Sequence, residues 1–505
     1  MAVSSSTVIT LNASTVLLRW DVSSPLTVGL MVRLHALARP VTVSTAPGFP
    51  ADASYTGTSA GLWVPLSPWD AHVSVYARAE SAVNVSVSAA SYSQQDPVPG
   101  ACNLEFRMEN DPNVHLNFTE YETVAQFAAA NIGTSRGQTP PPCDVDQAAH
   151  SRWELTYDVY HYFLPEGDLR ESTLFEALGE IYSVEALQQR ATKVASLSSN
   201  AKTRLYGNAF HGLGVLHVVV VTDPVFNTSS LYVPASTYSC YFSSIDPPSC
   251  HTQGETFWLV FLTLLGVYGL LVCFTGHRFL EAEYFFFGFL VCSFLCVALV
   301  ARFSGESIQL CLVYGAVAGW VGGGLCALCR WRFGTPVLLT FLAGVALGTL
   351  LAAVVMVTPL VNEGVMRSDV LYWTCVTAMA LVLPTLLLTC TRALNMMASA
   401  VVGSYAAVQA LGLYLHTAHP QIIVSALLRR AVSPLYQQAV LVLPFQTLDC
   451  LLTVLWGALV LFGLLSQWCL TRTRAPFPPC PYQRQVAGPP GPPDERSPLL
   501  GAGHR

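Results

Sequence analysis

The chain has 505 residues, 52% hydrophobic and 11% charged, with a mean hydropathy of +0.46 and a formal net charge of -6. Soluble domains carry about 25% charged residues, so a wholly soluble protein is excluded. No basic block is present, which excludes a nucleic-acid binder.

The opening MAVSSSTVITLNASTVLLRW has no basic n-region, no continuous apolar h-region and no small-residue cleavage site. The residues that follow nevertheless read as secreted. The expectation is therefore a leader upstream of the sequence, with the first apolar segment acting as signal anchor as the alternative.

Residues 1–255 carry four N-glycosylation sequons, at Asn12, Asn84, Asn117 and Asn227, and none follows. One sequon is weak evidence, but this asymmetry argues for a lumenal or extracellular first half. Cys102, Cys143, Cys240 and Cys250 form an even set there. Four cysteines allow three pairings, and an oxidising compartment makes them disulfides. The pairing favoured is Cys102–Cys143 with Cys240–Cys250. The spacings match no zinc pattern, so no metal site is expected.

Alternation of apolar and polar residues at 41–44, 73–76 and 82–88 predicts half-buried strands, and the apolar run 216–221 predicts a strand buried on both faces. Residues 153–163 are aromatic-rich and read as extended. One helix is expected over 171–193, with Leu174, Leu178, Ile181 and Leu187 on one face. Two β-sandwich-like modules follow, 1–98 and 99–255. The histidines are scattered, no nucleophile motif accompanies them, and Glu120/Glu122 read as a solvated strand face. No catalytic residue, cofactor site or metal site is expected.

A bilayer span needs about 20 mainly apolar residues. The domain 256–470 supplies seven: 257–274, 284–301, 308–329, 335–358, 370–391, 394–415 and 450–470. Six spans with a re-entrant fifth and sixth pair is the alternative. With the N-terminus outside, the inner joints hold Arg278, Arg330, Arg332 and Arg392, and the tail holds Arg472, Arg474 and Arg484. The outer joints hold Arg302, Arg367, Arg429 and Arg430. This agrees modestly with the positive-inside rule.

The span interiors read as almost uncharged, with Glu281, Glu283 and Asp449 at their edges, which argues against an ion-coupled transporter. Gln409, Thr389 and Ser399 are examples of polar neutral groups inside. Gly315, Gly319 and Gly323, then Gly344 and Gly348, recur every fourth position. Such rows let helices approach closely, and the expectation is that the third span packs on the fourth, with homodimerisation second. Cys326 and Cys329 have CxxC spacing at a span end, where lipidation is a weak expectation. The linker 416–448 sets Ile422, Ile423, Leu427 and Leu428 against Arg429-Arg430 and reads as a surface-lying or bundle-capping amphipathic piece.

The tail, 471–505, is Pro-rich over 476–493 and reads as disordered. Glu495 stands four residues before Leu499-Leu500. That is the acidic dileucine spacing, which implies clathrin adaptors as cytosolic partners.

Several stretches carry a resemblance. Asp96-Pro97-Val98-Pro99-Gly100 with Cys102-Asn103-Leu104-Glu105-Phe106, Pro140-Pro141-Pro142-Cys143-Asp144, Ser151-Arg152-Trp153 and Tyr157-Asp158-Val159-Tyr160 lie in the first half. Gly276-His277-Arg278-Phe279, Trp331-Arg332-Phe333-Gly334, Gly403-Ser404-Tyr405 and Pro444-Phe445-Gln446-Thr447 lie in the second, and Glu495 to Leu500 closes the chain. From about Asp21 onward the chain resembles the seven-transmembrane superfamily member three proteins, closely enough for an orthologue or near paralogue. It departs in lacking their leader and first ectodomain segment and in its shorter tail.

The resemblance implies a seven-span glycoprotein of the cell surface and secretory route, whose membrane domain is shared with the transmembrane protein 198 group. It further implies a role in cell survival and in damping endoplasmic-reticulum stress. It supplies no catalytic residues. The expected partners are membrane lipid and an unidentified protein or ligand at the ectodomain. A G-protein-coupled receptor is disfavoured because the third span ends Cys329-Arg330-Trp331-Arg332 and the seventh lacks an Asn-Pro-x-x-Tyr end.

Overall fold

The computed structural model describes residues 6–22, 24–102, 111–119, 122–143, 150–199, 203–242, 250–251, 255–304, 308–334, 336–358, 368–387, 390–419, 421–432, 442–472 and 482. The dileucine residues Glu495, Leu499 and Leu500, and Thr389, lie outside them. Two compact units form. The first comprises Met1–Leu259, Val357–Ser368 and Gly412–Leu452; the second comprises Val260–Met356, Asp369–Leu411 and Thr453–Arg505.

The first unit begins with a sandwich. One sheet orders β1 (Thr7–Leu11), β8 (Val83–Ser93), β3 (Thr27–His35) and β6 (Ser59–Pro65). The other orders β2 (Val16–Asp21), β7 (His72–Ala79), β4 (Val41–Ser44) and β5 (Ser54–Gly57). The alternation of β7 is visible in its burial: Val73, Val75, Ala77 and Ala79 point inward against Val32, Leu34, Val41, Val43, Val85 and Val87. Burying each such side chain contributes about 1.5–3 kcal/mol.

A second sandwich follows. Its larger sheet places β13 (Thr156–Phe163) and β16 (Val215–Asp223) side by side, flanked by β14 (Thr192–Ser198) and β17 (Thr228–Leu231). The facing sheet is β10 (Val114–Phe118), β11 (Glu122–Phe127) and β15 (Arg204–Asn208). Tyr157, Val159, Val219 and Val221 pack between the sheets on Ala125, Phe127 and Leu205. The other face of β16, Leu216, Val218 and Val220, is covered by helices, so this strand is buried on both sides.

The helix expected over 171–193 is broken. α1 (Glu171–Glu180) ends at Ile181, and α2 (Val184–Arg190) restarts with Ser183 accepting the Ala186 amide as an N-cap. Lys193 belongs to β14. Ser183 competes with the helix for its own backbone, and capping wins over continuation. Cys102 is joined to Cys143, and Cys240 to Cys250. Asn12, Asn84, Asn117 and Asn227 are all exposed.

Among the described residues, seven helices are long and apolar enough to cross a membrane. They are α3 (Glu255–Thr275), α4 (Leu280–Phe303), α5 (Ile308–Phe333), α6 (Val337–Val357), α7 (Asp369–Leu386), α8 (Thr391–Tyr414) and α9 (Thr447–Thr471). Within the second unit the glycine rows set the neighbours. A Cβ on Gly323 would lie 2.7 Å from the Phe285 carbonyl oxygen of α4, and one on Gly319 would lie 2.8 Å from the Phe289 ring. Gly315 likewise faces Val297 of α4.

The glycine row of the third span therefore meets the second span, where the fourth was expected. Spacing alone marks a close-approach face but does not name what meets it. Gly344 and Gly348 of α6 meet Pro384 and Ala380 of α7. Gly269 and Gly403 face each other, which brings the backbones of α3 and α8 together.

Candidate functional site

Two polar constellations stand out, one in each unit. The first is built where the segment Gly412–Leu452 meets the second sandwich. Its helical turns, Gln421–Ile423, Val424–Leu428 and Arg429–Val432, lie against the outer face of β11 and β15. Strand alternation turns Leu205 and Ala125 inward, so Tyr206, Asn208 and Glu122 are left on the other face.

Arg429 enters there with no exposed surface. Its guanidinium donates to Asn208 Oδ1, and Nη2 donates to the Tyr206 carbonyl at 3.2 Å. Its Nε lies 3.6 Å from Glu122 Oε2. Arg430 is also buried, as are Ile422, Ala426, Leu427 and Leu428. The piece was expected to lie on the membrane surface or to cap the bundle; its arginines are instead both covered by protein, Arg429 against the second sandwich. Glu122 is corrected with them, since it is buried and ion-paired, not part of a solvated face; Glu120 lies outside the described residues.

The flanks of the segment complete a clasp. Ala418 and Leu443 pack on Phe163, Phe210, Leu213 and Val215. Gln446 Nε2 donates to the Leu164 carbonyl at 2.8 Å, and Asn208 Nδ2 to the Val442 carbonyl at 3.3 Å. A Cβ on Gly212 would strike the His416 ring at 2.6 Å, and its φ of +77° is itself a glycine conformation.

Glu166 accepts the Leu448 amide at 3.2 Å. Asp449 accepts the amides of Ala418 at 3.0 Å and Gln446 at 3.4 Å. Burial, then the Asp449 carboxyl beside it, pushes Glu166 up to about 7. Burial lowers His419 below the ordinary histidine range, opposed by Asp449.

Deeper in the second sandwich, His161 and His217 pair across β13 and β16 with ring centroids 4.3 Å apart. Both are buried. Burial pushes His161 down to about 4 and His217 well below 6.5, so both are neutral core residues. Asp223, which precedes Pro224, accepts the Val225 amide within its own turn. It is also fully buried and paired with His150 Nε2 at 2.8 Å.

The second constellation lies in the bundle, where α3 passes through the turn Gly276–Arg278 into α4. Glu283, read from its position as a span-edge acid, is completely buried. This is a correction to the uncharged interior: Asn395 and Ser399 of α8 lie at the first turn of α4, and position along a helix does not show what lies across it. Glu283 Oε2 accepts from Asn395 Nδ2 at 2.6 Å, and the same amide lies 3.2 Å from His277 Nδ1.

Ser399 lies 3.1 Å from Gln467 Oε1, and Gln467 Nε2 donates to the Cys273 carbonyl at 2.7 Å. Of the other neutral groups, Gln409 bonds the Tyr405 hydroxyl one turn away. Sequence reasoning missed Asn395 and Gln467. Their shared signal is a polar amide about one turn from the terminus of an otherwise apolar span, Asn395 near the start of α8 and Gln467 near the end of α9.

Two tandem β-sandwiches followed by seven membrane-length helices define a multi-pass membrane protein with an immunoglobulin-like ectodomain. Three family profiles match in tandem. They are the TM7SF3-like N-terminal immunoglobulin-like domain at residues 3–93, the TM7SF3-like second immunoglobulin-like domain at 97–243, and the TM7S3/TM198-like domain at 262–468. The chain is 39% identical to rat transmembrane 7 superfamily member 3 over 456 residues, covering 90% of this chain and 80% of that protein. The mouse protein matches equally, and the human protein is 38% identical over 465 residues, 92% of this chain and 81% of its own. The chain belongs to the transmembrane 7 superfamily member 3 family. None of these names assigns a reaction.

Proposed function

We propose that this chain is a non-enzymatic membrane glycoprotein of the cell surface and secretory route. Its sandwiches face the lumen or exterior and bind a protein or small ligand, and its C-terminus is cytosolic. Its output is the support of cell survival and the damping of endoplasmic-reticulum stress that the family resemblance implies. The clasp carries this reading. Arg429 is fully buried against the second sandwich on a segment continuous with two spans, so a change in the sandwich is felt by chain that enters the membrane. The four exposed sequons support the glycoprotein assignment.

The test has two arms. Proximity labelling from the ectodomain should recover a partner. Cells expressing full-length Arg429→Ala at wild-type surface levels should lose stress protection while still recovering that partner. Full protection by the variant would refute coupling through the clasp.

A carrier or channel is the second reading, favoured by one observation, the buried carboxyl of Glu283 among neutral polar groups. Ligand-independent flux in liposomes holding the full chain would establish it over the first.

A further inference from the structure

The Glu283 cluster has an imbalance of acceptors over donors. Asn395 Nδ2 is committed to Glu283 Oε2 and His277 Nδ1. With Glu283 ionised, its carboxamide cannot be turned over, because that would set its oxygen against the carboxylate oxygen. Glu283 Oε1 and Asn395 Oδ1 are then left buried without a hydrogen bond; the Ser399 hydroxyl lies beside the Glu283 carboxyl but donates to the carbonyls of Asn395 and Met396 in its own helix. Both residues have no exposed surface. The site is close-packed: a Cβ on Gly276 would lie 2.8 Å from Glu283 Oε1 and 3.0 Å from Ser399 Cβ.

Charge sharpens the imbalance. No ion pair involves Glu283 among the described residues. Arg392, one turn before Asn395, donates to the carbonyl and hydroxyl of Thr471. His277 faces the carboxamide with Nδ1, which accepts its hydrogen and so brings no positive charge from that atom. Glu281 is exposed. The remaining neighbours, Ser399 and Gln467, are neutral. A buried carboxylate without a counter-charge is costly by several kcal/mol. A water molecule would satisfy the two oxygens but would leave the charge.

The geometry points to a small monovalent cation site at Glu283 Oε1 and Asn395 Oδ1, filled by a proton or by Na⁺. The unpartnered atoms are hard oxygen acceptors, which suits such cations and excludes anions and soft metals. One carboxylate supplies one negative charge. A divalent ion would leave an uncompensated positive charge in apolar surroundings. This inference is independent of partner binding by the ectodomain and requires no transport.

The test uses the full chain in nanodiscs. Thermal unfolding is followed at fixed pH and ionic strength as choline is replaced by Na⁺. Infrared spectra of the same samples are compared with Glu283→Gln for a protonated-carboxyl stretch. If Na⁺ fills the site, wild type gains roughly 3 °C at about ten times half-saturation, and Glu283→Gln gains nothing. If a proton fills it, Na⁺ has no effect, and a carboxylic-acid band present in wild type is missing from Glu283→Gln. Asn395→Leu, which keeps the volume, guards against a misfolded first variant: it should abolish the Na⁺ shift or displace the band. Neither a Na⁺ shift nor a Glu283-dependent carboxyl band in wild type overturns the proposal, as does an Asn395→Leu response identical to wild type.

Discussion

Replacing Arg429 by alanine would remove the buried cation that is paired with Glu122 in the clasp. Glu122 is 7% exposed, so the carboxylate left behind has little access to water. Deleting one partner of a buried pair costs about 3–5 kcal/mol, most of it from the charge left uncompensated. The hydrogen bonds to Asn208 and to the Tyr206 carbonyl are part of that figure, because contacts sharing one side chain do not add. At about 1.4 kcal/mol per factor of ten, local opening should rise about 100- to 4000-fold. Amide hydrogen exchange on the full chain reads this directly in peptides covering 421–432 and β15. The spans serve as an internal reference that should not move. The double change Glu122→Leu with Arg429→Met should recover most of the protection, since well-packed apolar groups replace a buried pair at little cost. Unchanged exchange in Arg429→Ala would refute the clasp, and a double variant no better than the single would refute its electrostatic origin.

Four further outcomes follow from named residues. Glu166 is raised in the folded clasp to about 7 from an ordinary 4.5, so the folded state holds more protons between those values. Stability is therefore lost as pH rises through that window, while His419, His161 and His217, all lowered, lose stability as pH falls below about 6.5. Glu166→Gln isolates the first effect: exchange protection of 442–449 relative to wild type should be greater at pH 8 than at pH 5, and equal differences would contradict it. Gly323→Ala drives a methyl toward the Phe285 carbonyl and should cost about 1–3 kcal/mol in detergent unfolding, whereas Gly324→Ala, which meets nothing within 4 Å, should be silent. Endoglycosidase should lower the apparent mass, and Asn84→Gln, Asn117→Gln and Asn227→Gln should each remove one step on a gel; an unshifted protein would overturn the lumenal first half. Alanines at Leu499 and Leu500 should raise surface abundance by antibody labelling, and no change would make the dileucine incidental.

The spans and strands were legible because their physics is local. A bilayer demands about 20 apolar residues in a row, and a half-buried strand alternates every second residue, so both leave marks on contiguous sequence. Partner choice is not local. The Gly315–Gly319–Gly323 row declares a face that admits another backbone, yet nothing in it distinguishes α4 from α6. Arg429-Arg430 illustrates the same limit for charge. Counted by position they are outer-joint cations, and only the fold brings Glu122 and Asn208, more than 200 residues earlier, to their side.

Glu283 carries the argument furthest. Its neighbour Glu281 occupies the same turn and is exposed, so composition and depth treat the two acids alike. What separates them is a rotation of 200° around α4, at about 100° per residue, which turns one to the outside and the other toward Asn395 and Ser399. A helical acid near a membrane edge should therefore be weighed by what its own face meets. Here that face meets a carboxamide and a serine hydroxyl, with no cation paired to it among the described residues, and this is why the carboxyl, and not the span's mean hydropathy, decides whether the bundle is inert.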